Sequence, residues 1–280
     1  WDGQTLHDLY KKAYTPWDWI PKLKKLAEDL GMICFSSEFD KTAVDFLEEI
    51  NVPIHKIASF EITDIPLIKY AASKNKPIII STGIATKEDI EKAVEACKLA
   101  GNNQIILLKC TSAYPAPYEE ANLKTILDLA ERFNVIAGLS DHTLGISVPI
   151  AAVALGAKII EKHFILNRNL KYPNGEFSPD AVFSLEPNEF REMVDSVRQV
   201  EKALGTVNYE LTEKTKKSRE FSRSLYIAED IKAGDTFTEK NVRSVRPGFG
   251  LHPENLEKIL GKKASKDIKK VTPLSWDLIK

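Results

Sequence analysis

Between Val135 and Phe164 the chain twice runs from a short β-branched stretch straight into polar residues able to hold a metal or an anion. Val135-Ile136-Ala137 leads into Gly138-Leu139-Ser140-Asp141-His142-Thr143, and Lys158-Ile159-Ile160 leads into Glu161-Lys162-His163-Phe164. The residues between, Ile146 to Gly156, are alanine and aliphatics ending on a glycine, the pattern of a buried helix. Strand, helix and strand in this order make the βαβ unit of a parallel sheet. Such sheets gather their chemistry at the carboxyl ends of the strands. His142 and His163 both fall there, so two imidazoles are predicted to converge on one mouth, where they can hold a divalent cation. For either histidine alone, the alternative is a polar residue capping a strand.

The same unit recurs upstream. Met32–Phe35, Ile54–Ala58, Pro77–Ile80 and Gln104–Lys109 read as strands, each followed by Ser, Thr, Glu or Asp and then by a helical pattern. The helix after Ser81-Thr82-Gly83 is predicted to start at Thr86, with Asp89 completing a capping box. Six strand–helix units with no glycine-rich phosphate loop after the first fit a (β/α)8 TIM barrel better than a doubly wound sheet. Two of the eight units of such a barrel are not found.

Further along, Leu166 to Phe183 reads as a loop containing Pro173, Asn174-Gly175 and Ser178-Pro179-Asp180, and Pro187 to Leu204 as a long amphipathic helix. The predicted layout is a barrel domain over 1–207, a polar linker over 208–221 and a small second domain over 222–280. In the amino-terminal stretch Tyr14-Thr15-Pro16-Trp17-Asp18-Trp19, the aromatic side chains are either a hydrophobic staple for the following helix or a lid over a sugar.

Composition excludes several classes. With 39 Lys and Arg against 40 Asp and Glu, the net charge of −1 does not suit a nucleic-acid binder. No apolar run approaches the ~20 residues of a membrane span. Cys34, Cys97 and Cys110 are scattered without a CxxC, as in a cytoplasmic protein with reduced thiols.

Strand ends pool their side chains at one mouth. Ser59, Ser81, Ser112 and Ser140 offer hydroxyls from four strands. Lys56, Lys109 and Lys162 are lysines within strands, where an unpaired charge is costly, so an anion is expected beside them. Glu61, Glu161 and Asp180 add carboxylates for acid, base or hydroxyl-accepting roles. Each serine by itself reads equally as a satisfied strand cap.

Taken together, these stretches resemble the sialic acid synthase family, whose members condense phosphoenolpyruvate with an amino sugar. The matching segments are Ile54-His55-Lys56-Ile57-Ala58-Ser59-Phe60-Glu61, Ile80-Ser81-Thr82-Gly83, Cys110-Thr111-Ser112-Ala113-Tyr114-Pro115, Gly138 to Thr143, Glu161 to Phe164, Pro179-Asp180 and Arg246-Pro247-Gly248. The resemblance implies that His142 and His163 bind a divalent metal, manganese first, with magnesium or cobalt as alternatives. It implies that Lys56, Ser59, Ser81, Ser112 and Ser140 hold phosphoenolpyruvate and that Tyr114, Glu161 and Asp180 contact the sugar, and Thr111 is expected among the substrate-binding residues. Residues 222–280 are similar to the antifreeze-like SAF module. Arg246 on that module is implied to reach the active site of the partner in a domain-swapped homodimer.

Two departures accompany the resemblance. The family's first two strand–helix units are expected upstream of Trp1. The loop before Asp180 is longer than the family's Gly-Pro-Asp turn, and Ser178 stands in place of the glycine. The implied reaction joins phosphoenolpyruvate to a 2,4-diacetamido-2,4,6-trideoxy hexose, with Glu61 as the base for the attacking water. The alternatives are synthesis of N-acetylneuraminic or legionaminic acid, or a catalytically silent sugar-binding relative.

Overall fold

The computed structural model describes residues 5, 7, 10, 11, 14–172 and 175–280; Trp1, Pro173 and Asn174 lie outside them. Contacts divide the chain into two compact units, Trp1–Gly205 and Thr206–Lys280.

The first unit is a curled parallel sheet with helices on its outer face. Its strands are β1 (His55–Ile57), β2 (Ile78–Ser81), β3 (Ile105–Cys110), β4 (Ile136–Asp141) and β5 (Ile160–Lys162). They lie side by side in chain order, every pair parallel. The helices α1 (Ile20–Asp29) and α2 (Lys41–Glu49) precede β1. Four more follow: α3 (Ile65–Ala72) after β1, α4 (Lys87–Leu99) after β2, α5 (Thr125–Phe133) after β3 and α6 (Ser147–Ala154) after β4. The long α7 (Pro187–Leu204) closes the unit.

Local sequence explains most of the helix starts. Thr86 caps α4 and exchanges hydrogen bonds with Asp89 in a full capping box. Asp40 caps α2 by accepting from the Ala43 N–H at 2.9 Å. Pro187 opens α7, where its missing N–H removes nothing from the helix.

Side-chain parity divides the sheet into two faces. Ile57, Ile78, Ile80, Ile105, Leu107, Ala137 and Leu139 pack outward with the helices in the main core. Ile79, Ile106 and Leu108, with Ile54 and Ile159 against them, form a separate cluster on the inner face. The strands therefore bury both faces, which is why their sequences are continuously apolar rather than alternating.

Two sequence expectations are corrected. Met32–Phe35 is not a strand; its side chains are largely exposed, and the segment after it touches the sheet through a single bridge, Ser37 to Lys56. A strand needs a ladder of partners, and this segment has one rung. The polar stretch expected as linker holds a short helix, α8 (Glu213–Ser218), capped by Thr212.

The second unit contains an antiparallel pair, β6 (Ser224–Ile227) with β7 (Val242–Val245), and a short helix α9 (Leu256–Ile259). Its own core includes Leu225, Ile227, Phe237, Val242, Ile259 and Leu274. Single antiparallel bridges such as Ile231 to Ile268 and Thr236 to Lys263 tie the remaining loops together.

Candidate active site

Inner-face parity carries one residue set to the carboxyl end of the sheet. Lys56 follows Ile54, Ser81 follows Ile79, Cys110 follows Leu108 and Glu161 follows Ile159 at a spacing of two, and His163 follows Glu161 at the same spacing. The Lys56 ammonium donates to Ser81 Oγ at 2.8 Å and to the Ile57 carbonyl at 3.2 Å, and lies 3.5 Å from Glu161 Oε2. Ser140 Oγ donates to Glu161 Oε1 at 2.5 Å. Lys56, Ser81 and Ser140 are each buried. A buried ammonium beside hydroxyls and one partly exposed carboxylate makes an anion cradle, since the Glu161 carboxylate can be exchanged for a ligand's phosphate or carboxylate.

Ser59 joins this group through the backbone: its Oγ accepts from Gly83 N–H at 3.1 Å. A Cβ at position 83 would sit 2.1 Å from Ser112 Oγ, 2.8 Å from Ser59 Oγ and 3.0 Å from Cys110 Sγ. Gly83 is therefore the residue that lets three strand ends meet.

The two histidines stand one residue beyond β4 and β5, with ring centroids 5.2 Å apart. Phe183 packs edge-on to both, at 5.9 and 4.9 Å, and Tyr114 lies over His142 at 4.4 Å. His142 Nδ1 is 3.0 Å from the Thr111 carbonyl. A carbonyl only accepts, so Nδ1 carries the proton and the Nε2 lone pair is left for a ligand. His163 Nδ1 lies 3.4 Å from Asp180 Oδ2, which orients its ring in the same way. Imidazoles anchored at Nδ1 by a carbonyl and a carboxylate match the outer hydrogen bonds of metal-ligating histidines. Among the described residues no group of three or more His, Cys, Asp or Glu is arranged to hold a metal. These two nitrogens would be the protein's share of the ligands.

Several charges are displaced from their ordinary values. The bond to His163 holds the Asp180 carboxyl low, against the effect of its own burial. Burial of Cys110 opposes its thiolate, but the contact with His142 at 3.8 Å and the nearby serine hydroxyls outweigh burial and bring the thiol below its usual range. His142 moves up for the same reason, its burial being outweighed by Cys110. Burial pushes Glu61 up, and its Oε2 is buried without a hydrogen-bond partner.

Parity also removes residues from the mouth. Lys109 and Lys162 share the helix-facing side with Leu107 and Ile160. The Lys109 ammonium donates to the Cys110 carbonyl at 2.7 Å and to Thr111 Oγ1 at 3.1 Å, and burial lowers its pKa. Lys162 is fully buried on Asp141 at 2.7 Å. Neither is available to the anion expected beside them. Thr111 spends its hydroxyl on Lys109 and on the Glu120 carbonyl at 3.1 Å, so it faces the histidines through its carbonyl instead. Cys110, on the inner face, was not among the residues predicted from sequence; counting in twos from Ile106 would have found it.

Glu61 lies close enough to the cradle for the Lys56 charge to act on its carboxyl, against the larger effect of burial. It borders a cavity of about 640 Å3 lined also by Tyr14, Trp17, Phe39 and Asp40, and none of Lys56, Ser81, His142 or His163 lines that cavity. Trp17 stacks on Phe46 of α2 at 4.7 Å, so it packs against a helix while also facing the cavity. Arg246 belongs to the second unit, is exposed, and has no hydrogen-bond or ion-pair partner among the described residues.

Comparison with known proteins accounts for both units. The NeuB family matches residues 1–209, and the SAF domain matches residues 222–280. A pseudaminic acid synthase of Campylobacter jejuni is 49% identical over 269 residues, 96% of this chain and 77% of that protein. A pseudaminic acid synthase of Helicobacter pylori is 47% identical over 99% of this chain and 80% of its own length. The crystal structure of an N-acetylneuraminic acid synthetase from Leptospira borgpetersenii, in complex with citrate, superposes with a TM-score of 0.68. It is 34% identical and covers 75% of this chain and 72% of that one.

Proposed function

The chain belongs to the NeuB family, and from that membership we propose that it is a pseudaminic acid synthase, a transferase joining phosphoenolpyruvate to 2,4-diacetamido-2,4,6-trideoxy-β-L-altropyranose. The observation that carries this reading is the cluster of Lys56, Ser81, Ser140 and Glu161 beside the paired histidines, all at the carboxyl end of one parallel sheet. The five strands are read as one arc of a (β/α)8 barrel, supported by their parallel pairing in strict chain order.

In the proposed mechanism, Lys56 with the hydroxyls of Ser59, Ser81, Ser112 and Ser140 binds the phosphate and carboxylate of phosphoenolpyruvate. The enol C3 of phosphoenolpyruvate forms a carbon–carbon bond to the aldehyde carbon of the open-chain sugar, the aldehyde oxygen takes up a proton to become a hydroxyl, and C2 is left as an oxocarbenium centre. His142 and His163 would hold a divalent cation, manganese first, through Nε2. When bound, the cation supplies Lewis-acid polarisation of the aldehyde oxygen. Glu61 takes a proton from the water that adds at C2, and the resulting tetrahedral centre expels phosphate to leave a keto acid. A carboxyl held above its usual range by burial is the stronger base for that step once ionised. Tyr114, Glu161 and Asp180 contact the sugar. The active form is a homodimer in the cytoplasm, with Arg246 of each subunit completing its partner's site; the three free cysteines accord with that compartment.

The test is an assay of the full-length protein with phosphoenolpyruvate and each of three acceptors: the altropyranose, the legionaminic acid precursor and N-acetylmannosamine. Phosphate release with the altropyranose at a kcat/KM well above the other two is expected. A preference for either other sugar would move the chain to another branch of the family.

A further inference from the structure

Beside β1 a hydrogen-bonded Glu–His pair is buried that the mechanism leaves unused. Glu38 and His55 are each 0% exposed, and Glu38 Oε1 lies 2.6 Å from His55 Nδ1. The other carboxylate oxygen of Glu38 accepts from the Lys56 main-chain N–H at 3.0 Å, while the Glu38 N–H donates to the Lys56 carbonyl at 3.1 Å. His55 Nε2 lies 3.2 Å from Glu48 Oε1, which also pairs with Lys76 at 2.5 Å, and makes no hydrogen bond of its own.

In a parallel ladder one residue sends both of its main-chain groups to the same edge. His55 faces β2, its N–H donating to the Pro77 carbonyl at 2.9 Å. Lys56 faces the opposite edge, where among the described residues the contact is a single bridge from Ser37. Both main-chain groups of Lys56 therefore end on one residue, Glu38. A buried carboxylate with two fixed donors has no other low-energy position. The Lys56 Nζ, by contrast, is held only by a hydroxyl, a carbonyl and a carboxylate at 3.5 Å, all in the cradle.

We infer that Glu38 is a positioning residue for phosphoenolpyruvate binding: clamped by His55, it fixes the main chain of Lys56 on the side of β1 away from β2 and so aims the ammonium into the anion cradle. The inference rests on the reading of Lys56 as the phosphoenolpyruvate anchor. Glutamine can replace Glu38, because its amide oxygen accepts from the Lys56 N–H and its NH2 donates to the other tautomer of His55. Alanine cannot, and it leaves the Lys56 N–H buried without an acceptor.

The experiment titrates phosphoenolpyruvate and, separately, Mn2+ into full-length wild type, Glu38→Ala, Glu38→Gln, Glu38→Asp and Lys56→Met, following heat. Glu38→Ala is expected to weaken phosphoenolpyruvate binding at least tenfold and Mn2+ binding less than twofold, with Glu38→Gln within threefold of wild type for both. Phosphoenolpyruvate binding by Glu38→Ala within twofold of wild type, or by Glu38→Gln as weak as by Glu38→Ala, overturns the inference. If Glu38→Ala does not fold, Glu38→Asp decides. Too short to span both donors, it should bind phosphoenolpyruvate at least threefold more weakly than Glu38→Gln, and equal binding overturns the inference. Lys56→Met separates the two levels: wild-type binding by this variant removes Lys56 as the anchor. Weakened binding by Lys56→Met with unaltered Glu38 variants removes Glu38 alone.

Discussion

Asp141 and Lys162 are register partners across β4 and β5 and close a 2.7 Å ion pair, each one residue before a histidine of the candidate metal pair. Lys162 also donates to the Thr143 carbonyl, and Thr143 returns its N–H and hydroxyl to Asp141. The pair lies on the helix-facing side, fully buried, so it acts on His142 and His163 only by fixing the two strand ends. Lys162→Met leaves Asp141 charged and buried. The expected cost is about 3–5 kcal/mol of stability, together with weaker metal binding. Urea unfolding measures the first, and an unchanged midpoint would show that the pair contributes nothing to the fold.

Glu61 gives a prediction with opposite signs for stability and activity. Burial raises its folded pKa above the unfolded value, so the folded chain binds this proton more tightly. The contribution of Glu61 to stability therefore falls as pH rises from the unfolded value through the folded one, and stays lost above it. Glu61→Gln is expected to raise Tm at neutral pH, to flatten that part of the pH dependence and to lower kcat by at least a hundredfold. A Tm at pH 7 below that of wild type would contradict the burial argument.

Asp180 is assigned to the sugar by family resemblance, yet its Oδ2 lies 3.4 Å from His163 Nδ1. If it orients that ring, Asp180→Asn should weaken Mn2+ binding by about 10–100-fold, as loss of an outer hydrogen bond to a ligating histidine does. His142→Ala or His163→Ala should weaken it further and nearly abolish turnover. Metal titration by calorimetry reads all three. Wild-type Mn2+ affinity in Asp180→Asn, with a raised KM for the sugar, would return Asp180 to sugar binding alone.

Arg246 is tested by complementation. His142→Ala and Arg246→Ala, each made in the full-length protein, should each be nearly inactive. After they are unfolded, mixed and refolded, a mixed dimer carries one site with both residues intact if Arg246 acts across subunits, so activity should return to about a quarter of its wild-type level by random pairing. Continued inactivity with mixed dimers present would confine Arg246 to its own chain.

Much of the fold was legible in the sequence because the signals were local. The Thr86–Asp89 capping box needs only neighbours along the chain, and Pro187 to Leu204 carries its own start signal and apolar face. The strand–polar–helix repeat likewise placed Ser81, His142 and His163 at strand ends, since a parallel sheet buried on both faces writes itself as short aliphatic runs. The same apolarity hid which face each residue occupies. With hydrophobic neighbours on both sides, nothing local to Lys109 or Lys162 distinguishes them from Lys56. The distinction comes from which side the helices cover, and it turns two expected anion ligands into structural lysines while admitting Cys110 to the mouth. Met32–Phe35 failed as a strand for a related reason, because aliphatic residues permit a strand but only a neighbouring ladder makes one. Sequence by itself determined most of the barrel-type elements from Ile54 onward, their order and the polar residues at their ends. The tertiary structure decided parity, the Asp141–Lys162 and Glu38–His55 pairs and the closeness of Gly83 to three strand ends, because each depends on groups brought together by register between segments that no local pattern encodes.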